Sequence, residues 1–151
     1  MDRRTLIQTA ASSATAAALT AFAAAATAQT ADPHAHHHHG AAMNEELIGS
    51  AIACLSTGEA CLAHCLVLLG QGDKEMAACA QSVNQLLAIC SALHKVAIQQ
   101  GSALKDLARV AAKTCDECEK ACRKHAGKHA ECKACADACA DCVQQCKAAM
   151  A

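Results

Sequence analysis

The stretch that decides the fold is Cys132-Lys-Ala-Cys135-Ala-Asp-Ala-Cys139-Ala-Asp-Cys142-Val-Gln-Gln-Cys146, preceded by Cys115-Asp-Glu-Cys118-Glu-Lys-Ala-Cys122. Cysteine recurs at steps of three and four residues, the spacing that keeps side chains on one face of an α-helix. The residues between, Lys133, Asp137, Asp141, Gln144 and Lys147, fall off that face and suit water. A stripe of thiols on an otherwise hydrophilic helix predicts a helix packed thiol side inward.

The same seam continues outward through the chain. Upstream it passes through Leu47, Ala51, Cys54, Gly58, Cys61, Cys65 and Leu68, then Met76, Cys79, Val83, Leu86, Cys90, Leu93 and Ala97. A third segment gives Leu104, Ala108, Ala111, Cys115, Cys118, Cys122 and His125, and the fourth extends to Ala149. All thirteen cysteines lie on it. Glycines near Gly70, Gly101 and Gly127 separate four segments of helical length, starting at the capping residues Asn44 and Asp73 and near Ser102 and Lys128. Short connections make neighbouring helices antiparallel. The expected fold is therefore all-α, an up-down-up-down antiparallel four-helix bundle with a cysteine-lined core over residues 44–151.

Composition agrees. The chain has 151 residues, 54% of them hydrophobic, yet one Phe and no Trp or Tyr, so Ala, Leu and Cys dominate and strand formers are scarce. Its one proline, Pro33, precedes every expected helix. A formal charge of -1 excludes a field that would draw nucleic acid or an anionic membrane.

The N-terminus reads as a signal. Arg3 and Arg4, an uncharged Ala/Thr/Leu run from Thr9 and the small-residue motif Ala26-Thr27-Ala28 predict a twin-arginine-type signal peptide over residues 1–28. The run is Ala-rich and ends in a cleavable motif, which favours a leader over a transmembrane anchor; no span is expected in the mature chain. The expected location is the periplasm or the lumen of internal membranes. Residues 29–43, with His34 and His36 to His39, are expected to form a flexible metal-attracting segment of no particular metal preference.

Thirteen inward thiols admit several chemistries. Disulfides fit poorly, because cysteines three or four apart on one helix have diverging Cβ directions; bridges between helices stay open, with one thiol left over. Zinc favours isolated sets of four ligands. Cys115-x2-Cys118 and Cys132-x2-Cys135 have that spacing, but both continue as a ladder. Stacked tetrathiolate zinc centres would each keep two negative charges in a low-dielectric core, whereas one copper(I) per thiolate leaves none. Iron-sulfur clusters call for compact loop constellations. A multi-zinc thiolate protein and a disulfide-stapled helical protein remain the alternatives. No Ser/His/Asp set, phosphate loop or carboxylate pair suggests an enzyme.

With its twin-arginine-like leader, His-rich start and the two cysteine runs quoted above, the chain resembles the bacterial copper storage proteins, particularly the exported members of methane-oxidising bacteria. The resemblance covers the whole mature chain. It implies a tetramer of four-helix bundles filled with copper(I), bound mainly by cysteine pairs. It also implies supply of copper to an enzyme such as methane monooxygenase; protection against copper toxicity is the other role.

The expected copper ligands are Cys54, Cys61, Cys65, Cys79, Cys90, Cys115, Cys118, Cys122, Cys132, Cys135, Cys139, Cys142 and Cys146. Antiparallel helices place Cys65, Cys79, Cys122 and Cys132 nearest one end, where copper is expected to enter, and Leu47, Leu93, Leu104 and Leu107 at the other, as a dry plug. His64, Met76, His125 and His129 fall beside the mouth. Of these, His64 and Met76 match the His and Met cluster that the resemblance implies, while His94, near the plug, reads as structural.

Overall fold

The computed structural model describes residues 38–151, with side chains described from Asn44 onward. The leader, its cleavage motif and the tract as far as His37 lie outside the described residues. The four helices are α1 (His38–Gly70), α2 (Ala77–Ile98), α3 (Leu104–Arg123) and α4 (Ala130–Met150), with no strand among the described residues. Each helix packs against two neighbours in the ring α1, α2, α3, α4, and diagonal pairs meet through side chains at the centre, as Cys61 of α1 and Cys122 of α3 do at 4.0 Å. That is the expected antiparallel four-helix bundle.

The boundaries differ from expectation in instructive ways. Asn44 does not cap the first helix, which runs back to His38, because Ala41, Ala42 and Met43 are strong helix formers and carry the turn through. Residues 38–43 of the expected flexible segment are therefore helical. Asp73 does cap, as read from sequence: its carboxylate accepts from the Glu75 backbone N–H at 3.1 Å. What it starts is a 3-10 turn, Lys74–Met76, that leads into α2.

Before that turn, Gly72 takes φ +96°, a left-handed conformation natural to glycine, and its N–H bonds the Leu69 carbonyl while that of Asp73 bonds Leu68. These bonds satisfy the orphan carbonyls at the end of α1. At the α2 to α3 turn the left-handed residue is Gln100, at φ +50°, and Gly101 donates to Val96.

The interior is unusual in what fills it. All thirteen cysteines are fully buried, and no polar or charged residue other than these is buried among the described residues. The remaining core consists of alanines and a few aliphatics, so the helices approach closely. Cys54 illustrates the distance: its thiol donates to the Ala138 carbonyl of α4 at 3.3 Å.

The two ends differ. Around Leu47, Leu93 and Ala97 the core is hydrocarbon, with Leu104, Leu107 and Met150 packed against it. From Cys54 to the far end thiols predominate, with Val83, Leu86 and Met76 of the α2 side buried among them. Outside, α3 and α4 carry ion pairs, including Arg123 bridging Glu119 on its own helix and Asp137 on α4.

By length and composition Asn44–Gly70 and Lys74–Ile98 are apolar enough to cross a membrane. Here their apolar residues divide between the buried seam and an outer face with Ile52, Leu66, Val67 and Ile98 exposed.

Candidate metal centre

Helical periodicity delivers the thiols inward, and the antiparallel ring brings them together in sets. Cys54, Cys90, Cys115 and Cys142, one from each helix, have all four sulfurs within 4.8 Å of one another. Nearer the mouth, Cys61 and Cys65 of α1, Cys79 of α2 and Cys132 of α4 form a second set with the same spacing. Two triads extend the second set inward: Cys61/Cys122/Cys135 shares Cys61 with it, and Cys118/Cys135/Cys139 shares Cys135 with the first triad. Cys139 in turn interacts with Cys115 and Cys54 of the four-helix set. Cys146 joins at the plugged side through Cys142, at 3.9 Å.

The pair distances show what the tube can hold. Across helices, Cys79 and Cys122 lie 3.5 Å apart, Cys61 and Cys132 3.8 Å, and Cys90 and Cys115 3.9 Å. Along α3, Cys118 and Cys122 are 3.9 Å apart. All thirteen are free thiols. With a metal–sulfur bond of roughly 2.3 Å, two sulfurs on one ion are at most about 4.6 Å apart, so each pair can share an ion without moving the backbone. Cys61 and Cys135 each belong to more than one set, and Cys139 interacts with Cys115 and Cys54, so thiol neighbours follow one another from the mouth to the four-helix set.

Electrostatics favours a monovalent guest. Burial pushes the Cys65 and Cys132 thiols up, and neighbouring thiolate charge, chiefly at Cys61 and Cys79, adds to it. Hydrogen bonds from Cys122, Cys135 and Cys139 hold Cys118 well below its ordinary value. Ionising so many adjacent buried sulfurs together therefore needs a cation for each.

The mouth is where expectation and structure meet most closely. Cys65, Cys79 and Cys132 are gathered there as expected, with Cys122 against Cys79. His64 lies beside them, its Nε2 2.9 Å from His129 Nδ1 and its Nδ1 3.8 Å from a Glu131 carboxylate oxygen. His125 and His129 line a cleft above Cys79. Met76 is buried within the 3-10 turn. Glu131 was not singled out from the sequence; its place in the first turn of α4, two residues after His129, is the signal that could have found it.

Comparison with known proteins follows the same line. The family model for copper storage proteins matches residues 40–151. The Cu(I)-bound copper storage protein 3 of Bacillus subtilis superposes with a TM-score of 0.64 at 26% identity, covering 72% of this chain and 99% of the other. Its apo form gives 0.63 at 27% identity, covering 71% and 98%. No curated protein sequence matches significantly. The buried cysteine tube and the match over residues 40–151 together place this chain in the copper storage protein family.

Proposed function

We propose that this protein is an exported store that takes up copper(I), about one ion per cysteine, inside its bundle. The observation that carries this reading is the cluster itself: thirteen buried thiols, gathered into neighbouring sets and accompanied by no other buried polar side chain among the described residues. Soft monovalent copper suits thiolate, takes two or three sulfurs, and cancels thiolate charge one for one. The Cu(I)-bound relative from Bacillus subtilis supports the choice of ion.

Export by the twin-arginine route to the periplasm or an internal-membrane lumen rests on Arg3, Arg4 and the Ala26-Thr27-Ala28 motif. That route carries folded proteins, so the thiols would already be packed inside the bundle before meeting an oxidising compartment. The store then supplies a copper enzyme such as methane monooxygenase, or protects against excess copper.

A homotetramer agrees with the outer face of α1, where Ile52, Leu66 and Val67 are about half exposed and Glu59 is the one charge between Leu47 and Gly72. Zinc is the second reading, favoured by the two four-thiol sets. It is weakened because the mouth set shares Cys61 with a triad and five further thiols lie outside both sets.

The test is metal analysis and mass spectrometry of the protein purified from copper-replete cells of its source. The expected result is about thirteen copper ions per chain, one per cysteine, and a mature start near Gln29. A few zinc ions per chain would overturn the storage reading, and an intact Met1 start would overturn export.

A further inference from the structure

At the mouth, nitrogen and oxygen donors are met before sulfur. A cleft of about 450 Å³ lies between the 3-10 turn, the start of α2 and the α3 to α4 connection. Asp73, Glu75, His125 and His129 line it, and so does one member of the thiol network, Cys79. Imidazole nitrogen and carboxylate oxygen accept copper(II), whereas the thiolates behind them select copper(I). The two halves of the mouth therefore suit the two oxidation states of one metal.

The donor half has the shape of a clasp. His64 Nε2 and His129 Nδ1 lie 2.9 Å apart, and Glu131 backs His64 from its other nitrogen. Two nitrogens bound side by side on one ion, each at about 2.0 Å, are roughly 2.8 Å apart. Turning the two rings toward a common point, with the shared proton moved to the far ring nitrogen of His129, converts the hydrogen bond into a two-nitrogen site.

The sulfur half has the shape of a dithiol reductant. Cys79 and Cys122, on adjacent antiparallel helices, are 3.5 Å apart, the shortest of the hydrogen-bonded thiol pairs. Reaching a disulfide bond of about 2.05 Å requires the sulfurs to close by roughly 1.5 Å.

We propose that the mouth is a copper(II)-reducing site, in which the His64–His129 clasp receives copper(II) and the Cys79–Cys122 dithiol reduces it. The balance is two copper(II) and two thiols giving two copper(I), one disulfide and two protons. Each sulfur supplies one electron, the S–S bond forms, and both protons leave through the cleft. The copper(I) formed at Cys79 passes to Cys61, Cys65 and Cys132 beside it. A second round needs an external dithiol to exchange with the disulfide. The inference rests on the storage reading and adds the form in which copper arrives.

The experiment mixes reduced, metal-free full-length protein, with His34, His36, His37, His38 and His39 replaced by Gln so that the tract supplies no nitrogen, with two equivalents of a copper(II) salt under anaerobic conditions. It follows the copper(II) EPR signal, the free thiol count and the disulfide position by peptide mass spectrometry. The proposal expects loss of the signal, one thiol lost per copper, and a bridge mapping to Cys79 and Cys122. In a Cys79→Ser/Cys122→Ser variant the signal should persist at least tenfold longer and carry hyperfine coupling from two nitrogens, which His64→Gln/His129→Gln in that background removes.

Bridges scattered over other pairs, equally fast loss in the double-serine variant, or a signal without nitrogen coupling would overturn it. If the double-serine variant does not fold by circular dichroism, the bridge position in the unaltered protein decides. Titration of the unaltered protein with copper(I) separates the two claims. Normal copper(I) loading without a selective bridge sinks the reduction step alone, and failure to load copper(I) sinks the storage reading.

Discussion

Leu93 and Cys90 stand less than one turn apart on the inner face of α2, and both are fully buried. If the bundle is divided into a hydrocarbon end that holds the fold and a thiol tube that holds metal, truncating these neighbours should have opposite consequences. Leu93→Ala removes three carbons from the contact with Leu47 and Ala97 and leaves a cavity, at a cost of about 3 kcal/mol. At about 4 °C per kcal/mol for a bundle of this size, the apo protein should melt about 12 °C lower. Cys90→Ala removes a single sulfur, comparable with one methylene at about 1 kcal/mol, or about 4 °C.

The copper count should move the other way. Leu93→Ala leaves it unchanged, and Cys90→Ala lowers it by one ion per chain, because each thiolate balances one charge. Thermal melts of the reduced apo forms by circular dichroism, with a copper(I) titration of each, provide both numbers. The division of labour is refuted if Leu93→Ala lowers the copper count, or if Cys90→Ala destabilises as much as Leu93→Ala.

Two further outcomes follow from the same packing. The thiols of Cys65 and Cys132 are raised in the folded state above their ordinary value of 9.0, so the stability of the apo bundle should be full below about pH 9 and decline as pH rises beyond it. Copper-loaded protein has already lost those protons and should show no such decline; parallel denaturant titrations from pH 7 to 10.5 check this. At Gly58 an added Cβ would lie 3.0 Å from a Leu87 methyl and 3.5 Å from a Leu86 methyl. Gly58→Ala should change the melting temperature little, since about 1 kcal/mol of helix propensity offsets the shift of the Leu87 tip, whereas Gly58→Leu should cost about 1–3 kcal/mol by overpacking α1 against α2.

Much of the fold was legible because one residue type marks one face. Every cysteine that the three and four spacing assigned to the seam is fully buried, as are Leu47, Val83, Leu86, Leu93, Ala108 and Ala111. The seam fails towards helix ends: Leu68, Leu104, His125 and Ala149 are only partly buried. A straight helix drifts from a seven-residue repeat, and near the termini fewer partners cover it. The same drift buries Ala80, Ala136 and Ala138, which the seam leaves out.

Helix starts were the weaker reading. Asn44 has the chemistry of a cap, but a cap sets a boundary only where the preceding residues resist the helix, and Ala41 to Met43 do not. The mouth was half legible: the cysteines, His64 and His129 could be placed at one end. The clasp itself joins residues 65 positions apart on α1 and the start of α4, and only the packing of those helices sets its 2.9 Å separation.

The most direct test of the central claim is an anaerobic titration of the reduced, metal-free protein with copper(I) against a competing copper(I) chelator. Thiolates matched one for one by a monovalent ion predict an endpoint near thirteen ions per chain, the number of buried thiols. Saturation at two ions per chain, one for each four-thiol set, with zinc competing on equal terms, would contradict it.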